Sequence, residues 1–162
     1  MAVKGPKLTE MEWHRKQAAD LFNGVWRLLD KPRRKRAEDD WMVHAAHASR
    51  HHWGAVGTPT NIAVGEWQVS HVYAVLRRPE PATHHARRCL ALCEEHGIRD
   101  FPLAFAYEAL ARADAVAGRK RNLRTHLAKA YEAGLRIADK EDRDEFFRQL
   151  KTVADVRPVP RE

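Results

Sequence analysis

The amino-acid sequence predicts an all-α protein, and three observations carry that expectation. Apolar residues recur at helical spacing through seven segments, strand-like alternation is absent throughout, and one long stretch repeats at an offset of about 41 residues. With 162 residues, 44% hydrophobic and 31% charged, the chain fits a single domain spanning 1–162 with a proper core. That balance excludes a disordered or membrane-embedded chain.

The first helix is expected over 9–29, with Leu21, Phe22, Val25, Trp26 and Leu29 as its apolar stripe and Asp30-Lys31-Pro32 ending it. The second covers 38–53 and opens on Glu38, Asp39 and Asp40, which suit the positive end of a helix. It is expected to bury Trp41, Ala45, Ala48 and His52. Thr58-Pro59 is a start signal for the third helix, which carries Ile62, Val69, Tyr73 and Leu76. The fourth spans 82–96 before Gly97, and the fifth runs over 101–117 between the cap Asp100 and Gly118. The sixth covers 123–137. The seventh, 141–156, is charged but carries Phe146, Phe147 and Leu150, so it reads as a capping helix. Short connections make these antiparallel hairpins over about 9–54, 59–96 and 101–137, with the capping helix last.

Residues 63–96 align with 104–137. Small residues fall at Ser70, Ala82 and Cys89 in the first copy and at Ala111, Gly118 and Ala130 in the second, with aromatics at Tyr73 and Tyr107. In these positions the chain resembles the tetratricopeptide repeat. The resemblance covers about half the chain. Arg77 stands where the family has a turn glycine, Asp114 where it has an aromatic, and the closing proline is missing. It implies a right-handed stack of hairpins whose first helices line a concave groove. On this chain the groove positions are Trp67, His71, Glu108 and Arg112, which would suit a protein or peptide segment, or a small polar ligand.

The formal charge is +7. In a hairpin stack the within-hairpin turns share one edge, and here they carry Lys35 and Arg36, then Arg77 and Arg78, then Arg119, Lys120 and Arg121. Cations at helix C-termini are favoured by the helix dipole alone. The alternative use of this basic edge is nucleic acid, held without sequence reading.

Helix two holds His44, His47, His51 and His52. His44, His47 and His51 occupy an arc of about 60° and could chelate zinc, although no carboxylate interrupts them as in a metalloprotease helix. The competing reading is a partly exposed face with scattered histidines. Glu66 stands in the apolar stripe of helix three, so it must find a partner or a raised pKa. A helix-two histidine or Arg50 is the expected partner. The rival function, a small enzyme or metal-dependent regulator, rests on His44, His51 and Glu66. Cys89 and Cys93 lie one helical turn apart and read as buried, reduced thiols. The sequence favours a non-enzymatic binding module with no cofactor. It has no spanning segment and no secretory start, so a cytoplasmic setting is expected. All five tryptophans lie at or before Trp67, which offers an aromatic face for a homodimer.

Overall fold

The computed structural model describes Gly5 and residues 7–160. These form seven α-helices and no strand: α1 (Glu10–Leu29), α2 (Arg36–Val56), α3 (Pro59–Val75), α4 (Pro79–Glu95), α5 (Asp100–Ala117), α6 (Lys120–Leu135) and α7 (Lys140–Val153). Among the described residues no helix is long and apolar enough to cross a membrane.

The helix starts follow local chemistry. Thr9 caps α1 in a reciprocal capping box with Glu12, and Thr58 does the same for α3 with Asn61. Asp139 caps α7 by accepting the N–H of Asp142. Helices α4 and α6 begin three residues earlier than the apolar pattern suggests. Pro79 supplies the first residue of α4, where a missing N–H costs nothing.

Three helix ends close in the same way. Gly97 and Gly118 take left-handed backbone at φ 62° and 72°, and Arg77 takes it at φ 60°. The N–H groups of Ile98, Arg78 and Arg119 then return to the carbonyls of Cys93, Tyr73 and Asp114 at 2.8, 2.8 and 2.9 Å. The missing turn glycine at position 77 therefore leaves the turn geometry intact. The Arg77 guanidinium donates to the carbonyls of Arg157 and Pro158, both at 2.9 Å, and ties the C-terminal tail to this turn.

Each helix packs on the next, and α3 also touches α1 and α5 while α5 touches α7. Helices α3 and α5 are the most enclosed, and their small residues permit the close approach. One core cluster joins Trp67, Cys89, Phe105, Ile137 and Phe146. A second centres on Met42, Val25, Val69 and Val72, with Leu28, Leu29, Tyr73 and Leu76 against it. A third, Ala74, Ala82, Ala113 and Val116, is covered by Val156 and Val159 of the tail. These clusters bring the C-terminal ends of α1, α3 and α5 together.

The expected burial of Trp41 is corrected. Its ring is 43% exposed, and Met42, fully buried, points into the core instead. Trp41 lies across Gly24, where a Cβ would come within 2.7 Å of the indole. His52 is half-buried, with its Nδ1 at 2.8 Å from His14 Nδ1.

Candidate functional site

A groove of about 420 Å³ opens between the odd-numbered helices. Phe22 and Trp26 come from α1 and Asp30 from its C-cap, Val64 and Trp67 from α3, Phe101 and Phe105 from α5, and Glu145 and Gln149 from α7. The rings form a chain of contacts. Ring centroids lie at 6.5 Å for Phe22–Trp26, 5.3 Å for Trp26–Trp67, 4.6 Å for Trp67–Phe105 and 4.5 Å for Phe101–Phe105. Such tilted and edge-on packing fixes the rings relative to one another.

Of the four expected groove residues, only Trp67 lines this cavity. Glu108, His71 and Arg112 are buried behind it, because α3 and α5 pack face to face at those positions. They form its foundation. The Trp67 indole N–H donates to Glu108 Oε2 at 3.2 Å, and Arg112 Nε donates to Glu108 Oε1 at 2.7 Å. Arg112 Nη2 reaches across to α7, donating to the Gln149 carbonyl at 3.1 Å and to Thr152 Oγ1 at 2.7 Å. The His71 ring leans on Trp26 and Trp67, with centroids at 5.7 and 5.8 Å. Burial pushes His71 well below the ordinary histidine range, and the Arg112 charge adds to this, so the imidazole is neutral.

Glu66 anchors a second polar cluster on the other side of α3. Its Oε1 accepts from Arg50 Nε at 2.8 Å and Arg88 Nε at 3.3 Å, and its Oε2 accepts from His85 Nδ1 at 2.6 Å. Burial alone would raise this carboxyl, but the hydrogen bonds from His85 and Arg50 hold it down at about 2. Arg50 is the partner expected from helix two, whereas the histidine comes from α4. His85 also stacks on Tyr73, whose hydroxyl is hydrogen-bonded to His47 Nε2 at 2.9 Å. The next hairpin repeats the theme: Asp114 accepts from Arg119 Nε at 2.8 Å and His126 Nδ1 at 2.6 Å. His85 and His126 occupy equivalent repeat positions, which is the sequence signal that could have found them.

His44, His47 and His51 are all exposed, and His47 turns toward α3 and α4, its ring 5.3 Å from that of His85. Among the described residues no group of three or more His, Cys, Asp or Glu side chains stands where it could hold one metal ion. Of the residues expected on a basic edge, Arg77 binds the tail, Arg78 lies 5.1 Å over the Tyr73 ring, and Arg119 holds Asp114 and Thr83. Lys35, Arg36, Lys120 and Arg121 are exposed. Cys89 and Cys93 are buried and unpaired. Met11, Trp13 and Trp41 are exposed in the amino-terminal half.

No family model, curated protein or solved structure matches this chain.

Proposed function

We propose that the seven helices form a right-handed stack of antiparallel hairpins of the tetratricopeptide kind, capped by α7, and that the inner groove binds a segment of a partner protein. One observation carries this reading: the cavity is lined by side chains of α1, α3, α5 and α7 alone, the first helix of each hairpin and the cap. Its size falls in the range of roughly 300–1,000 Å³ typical of ligand sites. Its floor is aromatic, and its rings are held by the buried Trp67–Glu108–Arg112 network, so the surface is pre-formed.

The Glu66 cluster supports a structural role in this reading. Both carboxylate oxygens have partners from neighbouring helices, which ties α2, α3 and α4 in register. The chain then acts by binding rather than by catalysis. A cytoplasmic setting, where Cys89 and Cys93 stay reduced, is part of the same reading.

The test is selection of displayed random peptides on the full chain, followed by affinity measurement on wild type and on Gln149→Trp. Gln149 lies half-buried at the groove wall, so the indole obstructs the cavity without entering the core. Enriched peptides are expected to lose at least about tenfold in affinity on this variant, equivalent to ~1.4 kcal/mol. Equal binding to both proteins, or no enrichment on wild type, refutes the proposal.

A further inference from the structure

The groove carries a charge signature opposite to that of the whole chain. The sequence has a formal charge of +7. Yet the charged side chains that line the groove are Asp30 and Glu145, both acids, with no lysine, arginine or histidine among the lining residues.

Asp30 is the more telling of the two. It occupies the C-cap of α1, the negative end of the helix dipole, where a carboxylate is disfavoured and a cation preferred. Its side chain has no hydrogen-bond or ion-pair partner among the described residues; the cations at this helix end, Arg27 in the last turn and Arg34 with its Nη1 3.4 Å from the Leu28 carbonyl, serve the backbone end and leave the carboxylate unpaired. Glu145 lines the same groove from α7. It accepts from Gln149 Nε2 at 3.0 Å and pairs with Arg148 in a surface i,i+3 contact. Arg148 is mostly exposed, and exposed pairs of this type are worth little, so an incoming cation can replace it. Trp26, Trp67 and Phe105 line the same cavity as the two acids.

Aromatic rings and carboxylates lining one cavity form a chemical setting that favours an organic cation, because ring quadrupole and carboxylate charge act in the same direction. An acidic side chain would meet two carboxylates, and like charges brought together across an interface oppose binding. Building on the groove reading above, we propose that the partner segment inserts an arginine or lysine side chain into this groove. The alkyl stem would lie on the rings and the charged head between Asp30 and Glu145.

The test uses the full chain with ¹⁵N-labelled indoles, the signals of Trp26 and Trp67 being assigned through single Trp→Phe variants. It is titrated with N-acetyl-arginine methylamide and, separately, with the neutral norleucine counterpart. The arginine compound is expected to bind at least about tenfold tighter, ~1.4 kcal/mol. That advantage should disappear in the Asp30→Asn/Glu145→Gln double variant. Asp30→Asn removes a charge that opposes the α1 dipole, and thermal unfolding checks that the variant keeps its fold. Equal binding of the two compounds leaves the groove reading standing and overturns the cationic anchor. So does an arginine advantage that survives in the double variant. If neither compound shifts Trp26 or Trp67, the cationic anchor fails, while the peptide selection decides the groove reading independently.

Discussion

Replacing Glu66 by glutamine should destabilise the protein strongly near neutral pH and hardly at all in acid. The side chain is 4% exposed and faces Arg50, Arg88 and His85. Its folded pKa of about 2 lies below the ordinary 4.5. At ~1.4 kcal/mol per pH unit this difference corresponds to about 3 kcal/mol. Arg88 is half exposed, so Arg50 and His85 carry most of that sum. The sign follows from proton binding. Between about pH 2 and pH 4.5 the unfolded chain binds more protons at this residue than the native one, so stability rises with pH through that window. The stabilisation is fully present above pH 4.5 and is lost as pH falls through about 2. Urea unfolding followed by far-UV circular dichroism measures both proteins at about pH 6 and about pH 2.5. Other carboxylates titrate over the same range, but the difference between wild type and variant isolates Glu66. That difference should be about 3 kcal/mol at the higher pH and shrink to about 1 kcal/mol or less at the lower. An equal difference at both pH values, or one below about 1 kcal/mol near pH 6, refutes the account of this cluster.

Two further perturbations test the packing that positions the groove and the tail. At Gly134 in α6 helix propensity alone favours alanine by ~1 kcal/mol, but a Cβ there would lie 2.3 Å from the Phe146 ring. Overpacking wins, so Gly134→Ala should cost about 1–3 kcal/mol and lower the melting temperature by roughly 2–4 °C per kcal/mol. A melting temperature that rises contradicts the placement of Phe146. At Arg77, Arg77→Ala and Arg77→Gly both lose the tail hydrogen bonds, but only alanine keeps the left-handed cost. The glycine variant should therefore be the more stable by ~1 kcal/mol. In both variants the Val159 N–H, now bonded to the Val116 carbonyl at 2.8 Å, should exchange faster with solvent. Unchanged exchange would show that Arg77 does not hold the tail.

Helical periodicity made the seven helices legible, because each buries an apolar stripe that repeats with the turn of the helix. Their starts were less so. A first helical turn need not carry the apolar stripe, and α4 and α6, neither held by a side-chain cap, begin ahead of theirs. Trp41 was misplaced because Met42 beside it is equally apolar, and Gly24 gives the large ring a seat at the surface. Glu66 was conspicuous as a carboxylate in an apolar stripe, and Arg50 could be named from the order of the helices. His85 was signalled only by its equivalence to His126, and its approach to Glu66 depends on how α4 lies against α3. The groove was hidden for a different reason. Phe22 and Trp26 sit in the α1 stripe, and an aromatic lining a cleft follows the same period as one in a core. The acids on the groove wall looked like ordinary surface charge.

The divergence between the two aligned hairpins has a physical basis. Helices α3 and α5 pack against each other, and Trp67 and Glu108, equivalent positions 41 apart in the aligned segments, are hydrogen-bonded across them. Identical side chains at such positions pair well when they are small or apolar, as the alanines do, but poorly when they are polar. A tryptophan repeated at position 108 would offer a second indole N–H to the first and leave both without an acceptor. Glu108 instead accepts from Trp67, and Arg112 neutralises Glu108 beside His71, itself the equivalent of Arg112. Had the repeats stayed alike, this buried network could not form, and Trp67 would lack the anchor that fixes its ring in the groove. The differences at 67/108 and 71/112 between the aligned segments therefore stand where α3 and α5 must complement each other.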